Sequence, residues 1–178
     1  FNPELFRRNT AVFDQRFYIS EIQKIKVISR QSLELIPKII DGVELSRPAL
    51  HKEFEGKLNL GRFIQITGLS GTGKSVLLRQ IAESKANDLP FLFIKSDQLT
   101  GSNTWLEYLS RVGLPSFSIS EWLISLEAVG GVPIVFIDGI DRVSENSKPI
   151  IEELIRTIFN NHDLTNWKIV TTLRDTGL

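Results

Sequence analysis

The chain has 178 residues, 42% hydrophobic and 24% charged, with 21 basic and 21 acidic side chains and a formal net charge of zero. That length buries one good core, so one domain with an appendage is expected, and the balanced charge offers no electrostatic case for nucleic acid or acidic membranes. Cysteine is absent, which excludes disulfide and thiol chemistry and suits a cytoplasmic setting, and no apolar run approaches a membrane span. With Phe1 at its start and no methionine, the chain reads as a piece of something longer.

Residues 1–42 differ from the rest. Phe1 to Tyr18 mixes aromatics with Arg7, Arg8, Asp14 and Arg16 and has no clean period. Ile19, Ile22, Ile25 and Ile28 then recur every three residues, which predicts a helix, and Pro37 interrupts the apolar group that follows. This segment reads as a linker or docking element. Its interleaved acids argue against a basic nucleic-acid arm. Asp41-Gly42 marks a turn. Ser46-Arg47-Pro48 then reads as a helix start with Ser46 as cap, and the helix carries Leu50, Phe54 and Leu58 on one face to a stop near Asn59–Gly61.

Phe63 to Thr67 reads as a buried strand, and it runs into Gly68-Leu69-Ser70-Gly71-Thr72-Gly73-Lys74-Ser75. That stretch fits G-x-x-x-x-G-K-[ST] at every fixed position, and Leu77, Leu78, Ile81 and Ala82 continue it with helical spacing. Strand, glycine-rich loop and helix together make a phosphate-binding P-loop. Its glycines let backbone N–H groups turn inward onto phosphate oxygens, beside the positive end of the helix dipole. Gly68 through Val76 are thus the candidate cofactor-binding residues, with Lys74 reaching the β- and γ-phosphates and the Ser75 hydroxyl on Mg²⁺.

Asn87 to Pro90 is a loop, and Phe91 to Ile94 a wholly apolar strand suited to a parallel sheet covered on both faces. Two helices are expected next. Asn103 to Val112 turns Trp105, Leu106, Leu109 and Val112 to one side, and Ser120 to Val129 does the same with Trp122, Leu123 and Leu126; both tryptophans read as core. Gly130-Gly131 leads into Ile134-Val135-Phe136-Ile137-Asp138, a buried strand ending in aspartate. An aspartate so placed is often only a turn former. Downstream of a complete P-loop it is the Walker B carboxylate, able to hold the Mg²⁺ that Ser75 binds. Pro149 to Phe159 is the most regular helical pattern, and Trp167 to Thr172 forms a further strand followed by Leu173-Arg174-Asp175. Arg174 is either a γ-phosphate contact at that strand's tip or a surface arginine opening a loop.

Gly68–Ser75, Asp138-Gly139-Ile140-Asp141 and Thr171-Thr172-Leu173-Arg174 together resemble the STAND class of P-loop NTPases, the NACHT and NB-ARC-like regulatory ATPases of innate immunity, cell death and antiphage defence. Leu45-Ser46-Arg47-Pro48 resembles the arginine-bearing segment that lies against the adenine in that class, which makes Arg47 a candidate cofactor contact. The resemblance implies a three-layer α/β P-loop fold with a mostly parallel sheet over residues 43–178, cut short before its last strand and lid. In it the Arg174 strand inserts between the P-loop strand and the Asp138 strand. It also implies ATP or ADP with Mg²⁺ as ligands, with ATP preferred because no N-K-x-D guanine reader occurs. It implies a homo-oligomeric active state, with effector and sensor domains upstream and downstream. Catalytic roles fall to Lys74, Asp138, Asp141 and Arg174. Gly139 and Arg142 stand where related ATPases carry glutamates, so Asp141 is left to orient the attacking water and slow hydrolysis is expected. The rival readings are a nucleotide-binding scaffold without turnover and an AAA+ ATPase acting on DNA.

Overall fold

The computed structural model describes residues 15–40, 42–44, 46–86, 91–114, 118–127 and 132–175. The aperiodic start of the chain up to Asp14, the 87–90 loop and the Gly130-Gly131 lead-in lie outside the described residues.

Four parallel strands form the central sheet in the order β3-β6-β5-β4: β3 (Phe63–Gly68), β4 (Phe91–Lys95), β5 (Ile134–Asp138) and β6 (Lys168–Arg174). As expected, β6 inserts between β3 and β5. The apolar runs of β4 and β5 are buried on both faces, because alternate residues point into two separate cores. Phe91, Phe93, Ile134 and Phe136 pack with Val76, Leu77, Leu78 and Ile81 of α3 (Lys74–Lys85) on one side. Leu92, Ile94, Val135 and Ile137 pack on the other with α4 (Trp105–Arg111), α5 (Ile119–Glu127) and α6 (Lys148–Asn160). The architecture is therefore helix, sheet, helix in three layers.

β3 departs from the buried strand read in the sequence. Phe63, Gln65 and Thr67 are exposed in alternation with half-buried neighbours, and Phe63 is 42% exposed. The cause is its position: it is the outer strand among the described residues, bonded only to β6 and packed on one face. Two helix faces also differ from expectation. Leu106 is exposed and Tyr108 takes the inward place beside Trp105. Leu50 of α2 (Pro48–Leu60) is exposed while Phe54 and Leu58 are buried. Arg47, not Ser46, occupies the N-cap of α2, makes no side-chain cap bond, and precedes Pro48 at the first helical position. Trp105 and Trp122 are core, meeting edge to face with centroids 6.1 Å apart.

The helix predicted from the isoleucine spacing is α1 (Gln15–Glu34), and it ends three residues before Pro37. It is bound to the sheet. Ile25, Leu33 and Ile36 are buried, and the Ser29 hydroxyl donates to the Phe91 carbonyl (3.3 Å) while accepting from the Phe93 N–H (3.1 Å). The buried Arg79 of α3 donates to the Ile36 carbonyl and pairs with Glu83 at 3.0 Å, joining this segment to the P-loop helix. A two-residue antiparallel ladder, β1 (Ile39–Ile40) with β2 (Val43–Glu44), follows across Gly42. No helix among the described residues is long and apolar enough to cross a membrane.

Candidate nucleotide site

The register of the sheet brings the motifs together at the C-terminal ends of its strands, where open α/β sheets place ligands. Gly68 at the end of β3 lies level with Arg174 at the end of β6, and Ile137 of β5 lies level with Thr171. Between β3 and α3 the loop turns at Gly73, whose φ of +78° is in the left-handed region that favours glycine. α3 then begins at Lys74, so its first N–H groups face the same space.

A knot of short hydrogen bonds centres on Asp138, whose carboxyl is 1% exposed. Its Oδ1 accepts from Ser75 Oγ and from Thr172 Oγ1, each at 2.7 Å. The Gly139 N–H in turn donates to Thr172 Oγ1 at 2.7 Å. Both hydroxyls point at one carboxylate oxygen, which settles their donor roles. Hydrogen bonds to an ionised carboxylate offset the cost of burying its charge. The donor set is one hydroxyl and one carboxylate, both hard oxygens within hydrogen-bond distance of each other. That set fits Mg²⁺, which takes few protein ligands and completes its shell with water and phosphate.

The other predicted residues are arranged around this knot. Lys74 Nζ donates to the Gly68 carbonyl at 2.7 Å and the Leu69 carbonyl at 2.6 Å, so its ammonium sits inside the P-loop. Ser70, Gly71, Gly73, Lys74, Ser75 and Val76 line a cavity of about 290 Å³, whereas Gly68, Leu69 and Thr72 lie outside its wall. Thr72 instead closes the loop on itself, donating from Oγ1 to the Leu69 carbonyl at 2.8 Å. Arg47 braces the P-loop from outside through Nη2 to the Thr72 carbonyl at 2.7 Å and is not among the cavity-lining residues.

Asp141 and Arg174, which the sequence reading gave separate tasks, hold each other. Arg174 Nε donates to Asp141 Oδ2 at 2.7 Å, and the Arg174 N–H donates to Oδ1 at 3.3 Å. Partial burial by itself raises the Asp141 carboxyl. The hydrogen bonds from Arg174 and the backbone, with the arginine's charge, outweigh that and hold it below its ordinary value of 3.8.

Four residues escaped sequence reasoning. Thr172 completes the Asp138 knot; its only signal was a hydroxyl beside the arginine at a strand end. Arg142, read only as a missing glutamate, places Nη2 3.3 Å from Asp138 Oδ2. Ile36 and Pro37 line the cavity although they lie more than thirty residues upstream of the P-loop lysine. No local pattern announces that contact.

The sequence profile of one family, described as AAA domain, matches residues 58–173. The match runs from the end of α2 to the penultimate residue of β6 and takes in the P-loop, Asp138, Asp141 and Thr172, while Arg47 and Arg174 fall outside it. No curated protein matches the chain.

Proposed function

The chain belongs to the AAA domain family, and from that premise we propose that it is an ATP-binding switch module that hydrolyses its nucleotide slowly. The observation that supports this most is the Ser75–Asp138–Thr172 knot at the mouth of a complete P-loop. A bare glycine-rich turn would not place a buried carboxylate against the hydroxyl after the lysine.

In this reading the P-loop amides cradle the phosphates while Lys74 leaves the carbonyls of Gly68 and Leu69 for the β- and γ-phosphate oxygens. Ser75 and Asp138 would hold Mg²⁺, with Thr172 fixing the carboxylate's orientation, as outer partners do for metal ligands. Mg²⁺ so held would supply positive charge to the phosphates, and charge stabilisation with positioning is most of what phosphoryl transfer asks. Asp141 orients the attacking water and Arg174 contacts the γ-phosphate, but each is held by the other at 2.7 Å. Turnover therefore needs that ion pair to open, and slow hydrolysis follows. Opening on γ-phosphate binding also gives the two states a switch requires.

The finer assignment is to the STAND class, with nucleotide state gating homo-oligomerisation, an effector domain and a sensor domain. It rests on the D-G-I-D form at Asp138–Asp141 and on the T-T-L-R strand end. A scaffold that holds nucleotide without turnover is the second reading, favoured by the same Asp141–Arg174 pair. Purified protein analysed for bound nucleotide, then assayed for turnover with and without Asp141→Asn, decides between them. Bound ADP with slow, Asp141-dependent turnover supports the switch; bound ATP that is never cleaved supports the scaffold. A Lys74→Ala protein that binds nucleotide as wild type does would refute both.

A further inference from the structure

Arg142 is unexplained by the nucleotide-binding machinery, yet it is placed on that machinery's metal side. Asp138 has two carboxylate oxygens and they are treated differently. Oδ1 receives both hydroxyls, Ser75 and Thr172, at 2.7 Å. Oδ2 faces the Arg142 guanidinium, with Nη2 at 3.3 Å. The arginine is held there by its own backbone: Gly139 turns with φ +74°, the Arg142 N–H donates to the Gly139 carbonyl at 2.8 Å, and the guanidinium lies against the Gly139 Cα in the space a Cβ would fill. Any side chain at residue 139 would push it away. Arg142 also lines the same cavity as Lys74 and Ser75, so its guanidinium can reach both the carboxylate and an entering phosphate.

On the nucleotide-site reading above, we infer that Arg142 is a resident counter-ion of Asp138, which neutralises the carboxylate through Oδ2, the oxygen that Ser75 and Thr172 leave open, and lets nucleotide be held without a divalent ion. The argument is electrostatic. A buried carboxylate close to triphosphate oxygens repels them, and with no cation between them that repulsion opposes binding. Here the Arg142 side chain, 45% exposed, is already in contact with the carboxylate, and a long flexible side chain can be displaced where a fixed one could not. A divalent ion held by Ser75 and Asp138 would supply that positive charge itself, so Arg142 matters most when no such ion is bound. Metal dependence of nucleotide affinity is therefore weak in this protein, and Arg142 is what makes it weak. Arg142 is a positioning residue in this account, since it acts through Asp138.

The test is the ratio of dissociation constants for a fluorescent ADP analogue, measured on the intact protein in EDTA and in Mn²⁺. Wild type should show a small ratio. Arg142→Gln should raise it about tenfold, mainly through weaker binding in EDTA, and Arg142→Lys, which keeps the charge, should fall between the two. Arg156→Gln removes an exposed cation outside the cavity, and its ratio should stay near wild type. An unchanged or smaller ratio in Arg142→Gln overturns the inference, as does an equal rise in Arg156→Gln, which would make net charge the cause. Both outcomes leave the nucleotide-site reading standing. Absence of analogue binding to wild type in either buffer overturns that reading and this inference together. Melting curves for each variant establish that the half-exposed Arg142 can be replaced without loss of the fold.

Discussion

Lys74 makes two short bonds to P-loop carbonyls, and the same ammonium is the group expected on the phosphates. Hydrogen bonds to charged groups contribute about 1.5–3 kcal/mol each. Lys74→Ala should therefore weaken nucleotide binding beyond detection in a micromolar titration. The Asp141–Arg174 pair makes a prediction in pH. The folded pKa of Asp141 lies below its ordinary value of 3.8, so the pair's contribution to stability is present above that value and is lost as pH falls through the lowered one. Arg174 is nearly half exposed, which limits the pair to about 0.5–1 kcal/mol. Urea unfolding of Asp141→Asn should thus show the same small deficit against wild type at pH 7 and pH 5, closing only below about pH 3.8. A deficit that vanished between pH 5 and pH 7 would contradict the geometry.

Among the elements, the outer strand β3 is held by its ladder to β6 and by one arginine that precedes it. Arg62 donates through Nε to the Trp167 carbonyl at 3.1 Å and through Nη2 to the carbonyls of Ile158 (2.8 Å) and Leu164 (2.6 Å). Its guanidinium also lies 5.0 Å over the Phe159 ring. It ties the start of β3 to the end of α6 and the start of β6, and its removal breaks all three bonds, although the Leu164 carbonyl keeps the Trp167 N–H. Arg62→Ala should destabilise by about 2–3 kcal/mol, a melting-point drop of roughly 5–10 °C for a chain of this size. Nucleotide affinity should hold once the protein is folded, because the staple lies at the opposite end of the strands from the P-loop. Loss of affinity in folded Arg62→Ala would mean that the register of β3 on β6 depends on Arg62.

At the scale of the whole molecule, α1 and the P-loop helix form one packed body. Leu33 and Ile36 share a core with Val76 to Leu78, and Arg79 binds the Ile36 carbonyl. Ile36 and Pro37 also wall the nucleotide cavity. Nucleotide should therefore stabilise the chain as a unit. At a hundred times its dissociation constant a ligand adds about 2.7 kcal/mol, which raises the melting point by several degrees. That rise should appear with ATP in wild type and be absent in Lys74→Ala. Limited proteolysis gives the spatial counterpart: cleavage within residues 23–37 should slow on adding ATP. Unaltered cleavage there would separate α1 from the site.

How much of this was legible in the sequence depends on the range of the interaction. The P-loop, the buried β4 and β5 and the helices α3 and α6 follow from contiguous patterns: fixed motif spacing, uninterrupted apolar runs and helical periodicity. The order of β6 between β3 and β5 followed only from the family resemblance. Asp138 was found because a strand-end carboxylate after a P-loop is a local signal read in a known order. Four other features were decided only by tertiary structure. They are the exposure of alternate residues in β3, the closure of Thr172 and Arg142 on Asp138, the pairing of Asp141 with Arg174, and the seating of Pro37 against the cavity. The exposure in β3, the Thr172 closure and the Asp141–Arg174 pair depend on which strand stands beside which and on the register that sets Thr171 level with Ile137, Arg142 on the local turn at Gly139, and Pro37 on the packing of the segment after α1. A side chain's partner across a parallel sheet is fixed by packing over more than thirty residues of intervening chain, and no period or motif in the sequence carries that information.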